Sequence, residues 1–181
     1  MTLVTAEALI IFVLTDICEI ILPMKTLIEA LETNVKRFPK RPAVVFGRKT
    51  LNFGQLDRLS GETAFGLRSY SAITRGDCVC LLMTNCLEYV PCFFGILKTG
   101  ATVIPINTFL APAEIRFILE DSRAKAVIVS GDLLKHLQSA IKGMAKPPAV
   151  IGTDIPDTRN ITPLASLYGR GTFRAQDISP D

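Results

Sequence analysis

The stretch Gly76 to Asn107, GDCVCLLMTNCLEYVPCFFGILKTGATVIPIN, constrains this chain more than any other, because its 32 residues read as strand, helix, glycine stop and strand. Cys78 to Met83 is an unbroken apolar run, the pattern of a strand buried on both faces of a parallel sheet. Asn85 with Glu88 three residues later spells an Asn variant of the capping box. Tyr89, Phe93, Ile96 and Leu97 recur at helical spacing, with a kink expected near Pro91. Lys98 suits the carbonyl end of that helix, and Gly100 supplies its left-handed stop. Ala101 to Ile106 is then the next strand. Two parallel strands need such a crossover, so the stretch commits the chain to an α/β fold.

The flanks extend this pattern. Leu27, Ile28, Leu31, Val35 and Phe38 mark a helix from about Met24 to Phe38, ended by Pro39 and Pro42. Ala43 to Phe46 and Lys49 to Leu51 flank Gly47-Arg48, a two-residue connection with glycine first, which predicts a type II′ hairpin. Asn52 and Gln55 form a second capping box, opening a helix that buries Phe53, Leu56, Leu59, Ala64 and Leu67. Arg75-Gly76-Asp77 spells an integrin-binding tripeptide, but a glycine turn feeding a buried strand is the preferred reading. Downstream, Pro112 and Glu114 open a helix with Ile115, Ile118 and Leu119 on its inner stripe. Ala126 to Val129 is a third buried strand, and Ser130-Gly131-Asp132 turns into a helix carrying Leu133, Leu134, Leu137 and Ile141. Gly143 closes that helix, and Ala149 to Ile151 is a fourth strand. His136 falls off the apolar stripe and reads as solvated. From Gly152 onward Pro156, Pro163, Gly169, Gly171 and Pro180 break every periodicity, so loop and short irregular pieces are expected. Gly169-Arg170-Gly171 lacks the strand-to-helix context of a dinucleotide fingerprint.

Charge and cysteines exclude several classes. The net charge is +3, yet residues 1–23 hold Glu7, Asp16 and Glu19 without Lys or Arg; that segment is −3, and the difference leaves +6 on the rest. This field is mild: it suits an anionic cofactor, and with no dense basic run it excludes nucleic acid. The five cysteines are an odd number without a C-x-x-C pair, and His136 is the sole histidine, so neither a disulfide framework nor a zinc site is expected. Free thiols in a cytoplasmic core are. Ala8 to Leu14 is too short an apolar run for a membrane span, and the amino terminus lacks the positive start of a secretory signal.

A Gly-Asp turn, an apolar strand, Asn, a Glu-bearing helix ending G-I-L-K-x-G-A and a strand closing V-x-P-I-N together resemble the N-terminal region of the AMP-forming acyl-adenylate ligases. That superfamily holds acyl-CoA synthetases, the adenylation domains of peptide synthetases and the firefly luciferases. The likeness runs from about Met24 to Asp181, is strongest over Gly76 to Ser130, and is most similar to bacterial fatty-acid–CoA ligases. Where the family carries Thr-Tyr-x-x-Leu, this chain has Asn52-Phe53-x-x-Leu56.

The resemblance implies a three-layer α/β subdomain over residues 24–151, with a mainly parallel sheet, flanking helices and a small hairpin near its start. Residues 152–181 would be an irregular segment leading toward the phosphate loop. Residues 1–23 are either an extra helix that packs on the domain or a partner, or an extension read through from a misplaced start. The second is preferred because Met24-Lys25 opens the family-like part.

The family joins a carboxylic acid, ATP and CoA, with Mg2+, through an acyl-adenylate. Its T-S-G-T-T-G-x-P-K loop, aromatic-Gly-x-Thr-Glu segment, ribose-binding Asp and late Lys do not occur among the 181 residues. The chain alone is therefore expected to be inactive, with no catalytic or metal-binding residue and no tightly held cofactor. What remains is a binding role at the carboxyl ends of the strands, Asn107-Thr108 and Ser130-Gly131-Asp132. The resemblance assigns Thr108, Ser130, Gly131 and Lys135 to the nucleotide side of CoA, with Arg116 a nearby cation. Two rivals stay open: a non-catalytic module that binds or homodimerises through the apolar N-terminal segment, and a flavodoxin-like nucleotide binder with an anion site at Ser130–Asp132.

Overall fold

The computed structural model describes residues 26–155 and 160–175; the readings made on residues 1–23, on Met24-Lys25, on Pro156 and on Pro180 lie outside them. Five parallel strands form the central sheet: β3 (Cys78–Leu82), β4 (Thr102–Pro105), β5 (Ala126–Ser130), β6 (Ala149–Thr153) and β7 (Ile161–Pro163). Their order is β4-β3-β5-β6-β7. The period of two sorts their side chains cleanly. Val79, Leu81, Ala126, Ile128 and Ile151 join one core cluster, while Cys80, Leu82, Val127, Val129 and Val150 join the other.

Helices α2 (Phe53–Ser71) and α3 (Tyr89–Lys98) belong to the first face; α4 (Pro112–Asp121) and α5 (Leu134–Ile141) cover the second. Crossover handedness explains this split: the chain leaves β3 toward β4 in one direction and returns past it to β5 in the other, so a fixed hand puts α3 and α4 on opposite faces. A third cluster joins α1 (Leu27–Arg37) and the antiparallel hairpin of β1 (Pro42–Phe46) and β2 (Lys49–Asn52) to α2 and α3. The predicted type II′ turn is present, with Gly47 at φ +59° and Arg48 outside the positive-φ residues. So is the Asn52–Gln55 box, with Gln55 N donating to Asn52 Oδ1 at 2.8 Å and Asn52 N to Gln55 Oε1 at 2.9 Å.

Three local readings are corrected. Helix α1 starts at Leu27, later than Met24, because Thr26 Oγ1 accepts from Glu29 N at 3.1 Å and caps it. Asn85 and Glu88 do not form a capping box, since α3 begins only at Tyr89. Pro91 decides this. A helix capped by Asn85 would need the amide that proline lacks, whereas a start at Tyr89 puts Pro91 third, where no intrahelical bond is due, and removes the cause of the kink. Lys98 lies in the last turn of α3, as its spacing predicts, and is buried there. Beyond Gly152 the chain is less irregular than its prolines suggest, for β7 adds a parallel edge strand and a 3-10 turn, Leu164–Leu167, buries Leu164 and Leu167. A three-residue strand is too short to show a period.

Candidate functional site

The sheet order reverses between β3 and β5, and open α/β sheets bind ligands outside the carboxyl ends of the strands at such a reversal. Two loops meet there. Thr84, just after β3, donates its amide to Ser130 Oγ at the end of β5 across 3.2 Å, and the two hydroxyls lie 3.5 Å apart. Ser130 is 5% exposed, so its hydroxyl holds the loops together more than it faces a ligand. Asn85, released from capping by Pro91, is exposed at a bend beside Thr84. Sequence reasoning missed both residues; the place of Pro91 relative to the helix start was the signal that would have found them.

The other sequence-derived site residues line the same edge of the sheet or stand close to it in sequence. Gly131 is exposed, and a Cβ there would approach the Thr153 and Asp154 carbonyl oxygens to 3.3 and 3.4 Å, which favours glycine. Thr108 is half-buried in the loop after β4, where Phe109 N donates to Asn107 Oδ1 at 3.0 Å. Lys135 is exposed in the first turn of α5. Arg116 is engaged within the fold: its Nε pairs with Glu120 Oε1 at 2.9 Å and a terminal nitrogen donates to the Lys142 carbonyl, also at 2.9 Å. It ties α4 to the end of α5.

The remaining chemistry-bearing groups are structural. Burial pushes the Cys80 thiol up to about 11, and burial followed by the Glu88 charge does the same for Cys86. Fully enclosed Cys92 rises well above its ordinary value, so these thiols are protonated and inert at neutral pH. Asp77 of the Arg-Gly-Asp turn is consumed inside the fold, accepting from Thr74 N at 2.7 Å and from Lys125 Nζ at 2.9 Å. A cleft of about 280 Å³ is lined by Glu32, Val35, Lys36, Asp57, Lys98 and Arg174. In it Lys98 Nζ donates to Asp57 Oδ1 at 2.6 Å and to the Asp57 carbonyl at 2.9 Å. Among the described residues no group of three or more His, Cys, Asp or Glu is placed to hold a metal ion, and no helix is long and apolar enough to cross a membrane.

The AMP-binding enzyme family matches residues 31–177. A long-chain-fatty-acid–CoA ligase of Mycobacterium tuberculosis is 38% identical over 101 residues, covering 56% of this chain and 20% of that protein. A 3-hydroxybenzoate–CoA ligase of Aromatoleum sp. is 30% identical over 117 residues, covering 64% and 22%. Among solved structures, an anthranilate CoA ligase in complex with anthranoyl-AMP superposes with a TM-score of 0.72 at 27% identity, over 77% of this chain and 27% of that one. A Mycobacterium tuberculosis fatty acyl CoA synthetase gives 0.67 at 27% identity, over 84% and 30%. The chain thus spans about a fifth of the length of the curated relatives it matches.

Proposed function

This chain belongs to the AMP-binding enzyme family, and from that premise we propose that it supplies the amino-terminal scaffold of an AMP-forming acid–thiol ligase acting on fatty acids. In such a ligase ATP activates the acid as an acyl-adenylate and CoA supplies the thiol that accepts the acyl group. The observation that carries the reading is the family match over residues 31–177, with fatty-acid–CoA ligases of several bacteria among the relatives.

The part these residues play in that reaction is to bind and orient. Thr108, the Gly131 backbone and the Lys135 ammonium are the groups we assign to the nucleotide end of CoA, with Ser130 setting the distance between the two loops through Thr84. Backbone N–H groups and a flexible ammonium suit phosphate oxygens. ATP and Mg2+ do not fit the described residues, which offer neither a Ser/Thr/Gly-rich phosphate loop nor a carboxylate cluster, so no adenylation step is assigned to them. The α/β body over 24–151 and the segment 152–181 form the organisation we propose, and the free thiols at Cys78, Cys80, Cys86 and Cys92 support a cytoplasmic location.

Two measurements test the reading. Acid-dependent ATP–pyrophosphate exchange with the purified 181-residue chain and a series of fatty acids is expected to match the blank, while CoA is expected to bind. Exchange above the blank would refute the scaffold assignment. Failure of CoA to bind would remove the role given to Thr108, Gly131 and Lys135.

A further inference from the structure

The segment 164–173 is pressed against α2 on both sides of Glu62. Leu167 sits over Gly66, where a Cβ would come within 2.7 Å of its side chain, and Gly66 lies one helical turn beyond Glu62 on the same face. Phe173 N donates at 3.0 Å to the carbonyl of Gly61, the residue before Glu62. Between these two anchors Tyr168 packs against the core cluster that contains Cys92 of α3. Thr63, the residue after Glu62, faces Gly95 of the same helix. Two polar atoms are enclosed in this seam without a hydrogen-bond partner among the described residues: Glu62 Oε2 and Tyr168 Oη. The Glu62 side chain is 6% exposed and uses only Oε1, which accepts from Arg58 Nη1 at 2.9 Å. Buried polar atoms are almost always paired, so two orphans in one seam call for a common partner. The groups also sense one another. Burial first, then Cys92, and further Glu88 and Glu62, hold the Tyr168 hydroxyl well above its ordinary value, while the neighbouring Thr63 hydroxyl works in the opposite sense.

We propose that Glu62, Thr63 and Tyr168 bind one internal water molecule, which fastens the 164–173 segment to α2. Donors and acceptors in the seam fit that ligand. The Glu62 carboxylate only accepts. The Thr63 hydroxyl spends its proton on the Leu59 carbonyl at 2.9 Å, so towards the seam it too only accepts. Tyr168 has the one proton left to give. Water accepts from Tyr168 and donates its own two protons to Glu62 and Thr63, which leaves no member of the group unpaired. A cation is the poorer match, because Arg58 already balances the Glu62 charge. The bridge joins residues about a hundred positions apart in sequence, so it closes a seam that the apolar contacts of Leu164 and Leu167 only align.

Magnetic relaxation dispersion of the water oxygen nuclei, measured on the full chain, counts internal waters of long residence. The parent is expected to hold one such water that Glu62→Leu and Tyr168→Phe both lose, the first by removing an acceptor and the second by removing the donor. Amide spectra of the two variants establish that the fold is kept. The same count in the parent and in both folded variants would overturn the site. A crystal structure of the full chain supplies a second readout that needs no variant. One water oxygen bonded to Glu62 Oε2, Thr63 Oγ1 and Tyr168 Oη is the expected result. Tyr168 Oη bonded directly to the Glu62 carboxylate, with no water between them, would refute the proposal.

Discussion

Asp77 shows how much one side chain can decide. It sits in a tripeptide with a well-known recognition meaning, yet its Oδ2 accepts from Thr74 and Lys125 of the same fold. Its carboxyl is held below the usual value of 3.8, first by the Thr74 backbone amide and then by Lys125, whose ammonium also donates to the Ala72 carbonyl at 2.7 Å. A lowered folded-state value means the unfolded chain takes up the proton first as acid is added. The stabilisation is therefore complete above 3.8 and is lost as pH falls through the lower folded value. Urea midpoints measured down from neutral pH should fall in the acid range, and Asp77→Asn should flatten that part of the curve. An unchanged acid slope in the variant would assign the loss to other carboxylates. At this scale the sequence was legible where neighbours agreed: Asn52 and Gln55 had no competing signal. It misled at Asn85, because a proline six residues later outweighed a well-spaced cap.

Between elements, helices α2 and α3 pack most closely in this fold, and two features hold them. Gly95 lets the backbones approach, for a Cβ there would meet Thr63 Cβ at 2.6 Å and the Ser60 carbonyl at 3.1 Å. Lys98, 4% exposed, reaches across from the end of α3 to Asp57 near the start of α2, whose side chain is 40% exposed. Removing one partner of a buried pair costs more than replacing the cation by an apolar isostere, because a stranded charge must stay desolvated. Asp57→Ala should therefore destabilise the fold by about 2–3 kcal/mol, discounted from a fully buried pair for Asp57's exposure. Lys98→Met should cost less than half as much. Chemical denaturation of the two variants decides it, and equal losses would mean the pair contributes through packing alone. Lys98 read only as a cation at the carbonyl end of its helix, a role its place in the last turn of α3 also fits. Sequence gives a residue's position along a helix, and the neighbour that buries it comes from another helix. The short β7 escaped notice for the related reason that its pairing with β6 is wholly non-local.

For the molecule as a whole, the decisive property is the reversal of strand order around β3. The βαβ unit at Gly76–Asn107 was readable because apolar runs, glycine stop and helix length all agree within one window. The pairing of β3 with β5, which sets Cys80 beside Val127 47 positions further along the chain, was not readable from any window. It follows only from packing helices on both faces. That pairing creates both the most enclosed strands and the site, since β3 and β5 lie inside the sheet with apolar layers on either side, and their carboxyl ends carry Thr84 and Ser130. A site on such strands moves only when the domain opens as a unit, whereas loops on an edge strand are freer. Amide hydrogen exchange gives this a measurable form. Val79 to Leu82 and Val127 to Val129 should exchange slowest, at a rate set by global unfolding, with Thr84 close behind because its amide is bound to the Ser130 hydroxyl. The β1–β2 hairpin should exchange faster, through local opening. If β3 and β5 instead exchange as readily as the hairpin, the two loops are not preorganised by the sheet, and the ligand edge would have to be assembled by whatever binds it.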